Sequence, residues 1–243
     1  GRRQRQMCIR DSSRTAEVTG RPVTISGSRS YDSTTTADSS ILTITSGVSG
    51  ESLSLTGAGI LGAASAGTQT ITNNNTLAIA DGTGSASNYT LDGASINVTV
   101  IPKTLNVTLA REYDGTTTVA GALLTPTFDS LQGGETLAIS GTGSVANANV
   151  GSSKAVTLGT IALAAGSGNP SNYSLNSVLL DVTQRVINLD GIRAYDATTN
   201  VLSSDINTFG NIVSGETLTI SGTGSVATNL SLIHISEPTR RIE

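Results

Sequence analysis

Apolar and polar positions alternate with a period of two through short runs along most of the chain, and glycine or serine bounds each run. Leu53/Leu55, Leu137/Ile139 and Leu218/Ile220 are three of them. Successive side chains of an extended segment point to opposite faces, so this alternation predicts strands with one buried face each. Ile96, Val98 and Val100 keep the apolar residues on even positions; beyond Pro102-Lys103, Leu105, Val107 and Leu109 keep them on odd ones. The buried face flips there, which marks the last strand of one domain and the first strand of the next. Val178, Leu180 and Val182 give way to Ile187 and Leu189 across Thr183-Gln184-Arg185 in the same manner. Linkers of two or three residues restrict bending, so neighbouring units are expected to line up as a semi-rigid rod.

The pattern repeats. Tyr31-Asp32-Ser33-Thr34-Thr35, Tyr113-Asp114-Gly115-Thr116-Thr117 and Tyr195-Asp196-Ala197-Thr198-Thr199 are spaced 82 residues apart. Gly50-Glu51-Ser52-Leu53, Gly134-Glu135-Thr136-Leu137 and Gly215-Glu216-Thr217-Leu218 recur at 84 and 81, and Asn88-Tyr89-Thr90-Leu91 and Asn172-Tyr173-Ser174-Leu175 at 84. A period of about 80 residues holding several alternating strands predicts an all-β array of tandem β-sandwich repeats of immunoglobulin-like size, and speaks against a β-helix, whose coils are far shorter. A β-grasp-like α+β unit is the alternative, with Ile60–Gly67 as its one candidate helix.

The two ends read differently from the rest. Gly1–Ser12 and Leu230–Glu243 resemble translated sequencing-adapter sequence and are set aside as scars. They carry the chain's single methionine, cysteine and histidine (Met7, Cys8, His234). Without them eight basic residues face fifteen acidic ones, a net charge of −7. An acidic segment with scattered cations has no footprint for phosphate backbones or anionic lipid, so neither nucleic acid nor membrane insertion is expected. The remainder is expected to be an internal, metagenomic fragment in three parts: a first repeat over 13–101, a second over 103–183 and a truncated third over 185–229. The third is expected to expose an incomplete sheet edge.

Aromatic residues follow the period as well. All five tyrosines fall in two recurring slots, Tyr31, Tyr113 and Tyr195 in one and Tyr89 and Tyr173 in the other, while Phe128 and Phe209 share a third. A side chain placed once per repeat serves the repeat, so these are expected to pack the core rather than stack on a ligand. Asp32, Asp114 and Asp196 each follow a tyrosine, where an Asx turn would cap the strand and engage the threonines beyond it.

The succession Tyr113-Asp114-Gly115-Thr116-Thr117, Gly134-Glu135-Thr136-Leu137, Asn149-Val150-Gly151-Ser152-Ser153-Lys154 and Asn172-Tyr173-Ser174-Leu175 resembles the signatures of the YDG repeat. The resemblance is best over 103–183. The first repeat has Ser33 for the motif glycine and Ala66-Gly67-Thr68 in place of Asn-Val-Gly, and the third has Ala197 for that glycine. YDG repeats occur in tandem in secreted bacterial surface proteins, including filamentous-haemagglutinin-like adhesins. The resemblance implies a secreted, cell-surface location and a repetitive stalk, and it supplies no catalytic residues.

A direct search for chemistry agrees. With neither histidine nor cysteine outside the ends there is no Ser-His or Cys-His pair and no usual transition-metal ligand set, so no enzyme and no cofactor are expected. Asp114, Glu135 and Asp196 have repeat equivalents, which favours turn roles over acid/base work. Calcium is the one ligand left open, although no Asp-x-Asp-x-Asp-Gly run is present. A lysine–asparagine crosslink is limited to Lys103 and Lys154. The expected function is a spacer holding a distal binding domain away from the cell, with neighbouring repeats as partners; the alternative is an adhesive module that binds a host receptor or glycan itself.

Overall fold

A computed structural model describes residues 17–228; the adapter-like stretches Gly1–Ser12 and Leu230–Glu243 lie outside the described residues. The chain is all-β. Its helical segments among the described residues are five three-residue 3-10 turns. Residues 60–67 form no helix: Ala58–Leu61 and Gly67–Asn73 are antiparallel strands, with Leu61 buried. Gly59, Gly62 and Gly67 strip this segment of helix propensity, and burial of Leu61 favours the extended form.

The first two repeats are organised around three strands, and the described residues of the third contain two of them. The opening strands are Arg21–Ser30, Lys103–Glu112 and Asn188–Gly191. Antiparallel to each runs a short return strand: Leu42–Ile44, Thr127–Phe128 and Ile206–Gly210. Register is kept from repeat to repeat, since Ile25 pairs with Ile44, Val107 with Phe128 and Leu189 with Phe209. The third side-chain slot thus holds Ile44 in the first repeat and the half-buried Phe128 and Phe209 in the others.

On its other side the opening strand takes a long closing strand, Tyr89–Ile101 in the first repeat and Tyr173–Thr183 in the second. The first pair is parallel, from Arg21 beside Tyr89 to Ser30 beside Ile101. In the second, Asn176 Nδ2 donates to Asn106 Oδ1 (2.9 Å) and Thr183 Oγ1 to Arg111 O (3.3 Å), so both strands advance in the same direction. Parallel neighbours need a long crossover, and here the whole repeat is the crossover.

Two compact units result. Among the described residues one comprises 17–105, Ser130–Leu137 and Ala165–Ser174, the other Asn106–Asp129, Ala138–Ala164 and 175–228. The first is packed around Val23, Ile25, Leu61, Val98 and Val100. The second has a core of Val107, Leu109, Val119, Ile139, Val145, Ile161, Val178, Leu180 and Val182, backed by Phe128 and Tyr113. Each fully buried aliphatic side chain contributes about 1.5–3 kcal/mol. Even-numbered burial at Ile96, Val98 and Val100 changes to odd-numbered burial at Leu105, Val107 and Leu109, and Ile101, between them, is half exposed.

Candidate functional site

The signature residues assemble into two recurring constructions. The first is a corner. Arg29, Arg111 and Arg193 each stand two residues before a motif tyrosine, and each forms an ion pair with the aspartate three positions on: Asp32, Asp114 and Asp196. Oδ1 of that aspartate accepts from the backbone N–H of Thr34, Thr116 or Thr198 at 2.9 Å, which is an Asx turn. The guanidinium then reaches the carbonyl oxygen of the same threonine. At Asp196 the Thr198 amide and then Arg193 hold the carboxyl down to about 2. The residue after each aspartate has a positive φ: Ser33 at 63°, Gly115 at 75° and Ala197 at 63°. Glycine alone takes that conformation without steric cost, which accounts for the third letter of the motif.

The second construction is a carboxylate held in a turn. Glu51, Glu135 and Glu216 donate their backbone N–H to the carbonyl three residues earlier, Val48, Gln132 and Val213, and the glycine before each glutamate has a positive φ, as the third residue of a type II turn requires; in the second repeat Gly133 is positive as well, which makes that turn type I′. Within a repeat this turn meets the closing-strand tyrosine. Tyr173 Oη donates to Glu135 Oε2 (2.5 Å) and accepts from Gln132 N–H (3.1 Å). Tyr89 makes the same pair of bonds, to Glu51 and from Val48 N–H (3.1 Å). Gly168 leaves the room: a Cβ built there would stand 2.9 Å from Glu135 Oε2.

The corner tyrosines bring successive repeats onto the same carboxylates. In the first unit Tyr31 Oη donates to Glu135 Oε1 at 2.6 Å. The rings of Tyr31 and Tyr173 meet edge to face, centroids 5.3 Å apart and planes at 76°. The adjoining Asn172, a buried polar residue, accepts from Ala66 N–H (2.9 Å). In the second unit Tyr113 Oη donates to Glu216, and Arg185 holds the linker by donating to Tyr113 O (3.3 Å), Asn211 O (2.7 Å) and Asn211 Oδ1 (2.6 Å). Burial, reinforced by Glu135, raises the Tyr31 phenol above its ordinary value, and the same causes push Tyr173 up to about 12. Hydrogen bonds to Glu51 and Glu216 raise Tyr89 and Tyr113.

Tyr31, Tyr89 and Tyr173 are therefore buried with their hydroxyls engaged, Tyr113 is half-buried, and Tyr195 is 65% exposed. Sequence reading reached the tyrosines and aspartates but gave the glutamates only a turn role and passed over the arginines. The signal for both was present, because Arg29, Arg111 and Arg193 keep the 82-residue period. Lys154 Nζ donates to Asn147 O (2.8 Å) and Asn147 Oδ1 (2.9 Å), within a hydrogen-bonded turn. Among the described residues no group of three or more acidic, histidine or cysteine side chains gathers as a metal site, and no helix is long and apolar enough to cross a membrane.

No curated protein and no solved structure matches the chain. The family profile described as YDG domain matches twice, over residues 14–97 and 101–179, which is well over half of the sequence. The corners and carboxylate turns recur with the same motifs, and the chain belongs to the YDG domain family.

Proposed function

We propose that this chain is a stalk segment of a secreted bacterial surface adhesin, a spacer that holds a distal binding domain away from the cell. The observation that carries this reading is the Glu135 carboxylate shared by Tyr31 and Tyr173, one tyrosine from each of two successive repeats. The groups that tie one repeat to the next are the groups that define the repeat, so the construction extends by simple addition. Arrays of this kind are stabilised by nearest-neighbour interfaces as well as by each unit's own core. A passive spacer needs that property and no ligand.

The test lengthens the chain by inserting further copies of residues 103–183 and follows its maximum dimension by small-angle X-ray scattering. The stalk reading expects the same increment for every added copy. A dimension that stops growing contradicts it. Saturable binding of the unmodified chain to a glycan array or to host cells would instead favour an adhesive module.

A further inference from the structure

Four Asp-Gly steps occur in the chain: Asp81-Gly82, Asp92-Gly93, Asp114-Gly115 and Asp190-Gly191. Glycine has no Cβ to keep its amide nitrogen from the preceding side-chain carboxyl, so the main chain can close a five-membered ring there. Closure needs a free carboxyl, a free glycine N–H and backbone torsions able to turn. Three of the steps lack at least one of these. Asp114 is paired with Arg111, and its Oδ1 accepts from the Thr116 N–H (2.9 Å) and hydroxyl (3.0 Å). Asp81 Oδ1 accepts from Ala86 N–H (2.6 Å), while Gly82 N–H donates to Gly84 O (3.2 Å). Asp190 and Gly191 are ladder positions opposite Thr208 and Ile206, and a Cβ built on Gly191 would collide with Asp205 O.

Asp92-Gly93 is held by none of these restraints. In the first repeat Pro22 lies beside Thr90 and Thr24 beside Ser95, so residues 91–94 bulge out opposite Val23 alone. The strand Gly67–Asn73 meets the closing strand only at residues 97–100. Asp92 and Gly93 are exposed and have no ladder partner on either side. Asp92 N–H donates to Thr90 Oγ1 (3.0 Å), but its carboxylate has no hydrogen bond or ion pair among the described residues. Gly93 has a φ of 71°, and a Cβ built on it would have only Pro22 Cγ within reach, at 3.9 Å.

We propose that Asp92-Gly93 is a modification site, at which the folded chain forms isoaspartate on its own. The Gly93 nitrogen attacks Cγ of the Asp92 carboxyl. A C–N bond forms, a C–O bond breaks, and the oxygen leaves as water with the amide proton. Water then adds to either carbonyl of the resulting succinimide and breaks one of its two C–N bonds. One product is the original aspartate; the other is isoaspartate, whose main chain runs through Cβ and is one atom longer. The bulge takes up that atom because no ladder runs through it. Whether or not the chain serves as a spacer, the step needs only these two residues and water.

The full chain is kept warm in mildly acidic buffer, since a carboxylic acid sheds its oxygen as water more readily than a carboxylate does. One arm is left folded and the other is unfolded in urea. Peptide mapping by mass spectrometry and isoaspartyl methyltransferase labelling then locate and count isoaspartate. In the folded arm residue 92 is expected to convert at least about fivefold faster than residues 81, 114 and 190, the factor that one retained hydrogen bond of about 1 kcal/mol supplies. In urea the four steps are expected to convert at similar rates. Asp92→Glu is expected to abolish the signal at residue 92, because the larger ring closes far more slowly, with an unchanged circular dichroism spectrum. Equal conversion at the four steps of the folded chain, faster conversion at Asp81, Asp114 or Asp190, or isoaspartate at Asp92 confined to the urea arm would overturn the proposal.

Discussion

Tyr31 and Glu135 are 104 positions apart in the chain, and the phenol of one donates to the carboxylate of the other at 2.6 Å. Glu135 is half-buried, whereas Glu51 and Glu216, each bound by one tyrosine, are exposed. The second tyrosine is what takes the carboxylate out of water.

Removing Glu135 leaves two buried hydroxyls without their acceptor. Each stranded group costs about 1–3 kcal/mol. Glu135→Ala is expected to lower stability by about 2–6 kcal/mol in urea unfolding, and by more than Glu51→Ala, which strands one hydroxyl. Glu135→Gln keeps an acceptor and is expected to lose less.

Alkaline pH should open the same contact. The phenols of Tyr31 and Tyr173 are raised in the folded protein, Tyr173 to about 12, so folding favours their protonated form. Their contribution is complete below the ordinary tyrosine value near 10 and is lost as pH rises from about 10 to 12. Urea midpoints across that range, beside absorbance titration of the phenolates, are expected to fall together. Tyr173→Phe should flatten the fall.

Acid acts on the corner instead. Asp196 is held down to about 2, so its share of stability is present above the ordinary aspartate value near 4 and fades as pH falls toward 2. The Thr198 amide resonance is expected to titrate in that window, and Arg193→Gln should shift its midpoint upward.

The positive-φ position gives a pair of opposite substitutions. Gly115→Ala forces a Cβ into the left-handed region and to 2.8 Å from Val213 Cγ1, and is expected to cost about 1–3 kcal/mol by thermal unfolding. Ala197→Gly relieves the same backbone conformation. It is expected to stabilise by a smaller amount, because glycine also adds freedom to the unfolded chain.

Strands, period and buried faces were legible because each is written locally: alternation at Val98 and Val100 fixes a face whatever lies opposite. Neighbours were not. Alternation does not say that Arg21–Ser30 runs parallel to Tyr89–Ile101, since a face can be satisfied by a partner in either direction. Nor does the period say that Tyr31 looks forward to Glu135 while Tyr173 looks back to it, because both tyrosines keep one spacing from the glutamates. The helix expected as an alternative over 60–67 failed on its glycines. The arginine at the corner keeps the 82-residue period, but the period does not name the aspartate three residues on, across a turn, as its partner.

The most direct measurement is a double-mutant cycle between Tyr31 and Glu135, using Tyr31→Phe, Glu135→Gln and their combination in urea unfolding of the full chain, with Tyr195→Phe as the uncoupled control. If successive repeats are joined through this contact, a coupling of about 1 kcal/mol is expected for Tyr31 and none for the exposed Tyr195. Additivity of Tyr31 and Glu135 within about 0.3 kcal/mol would contradict it.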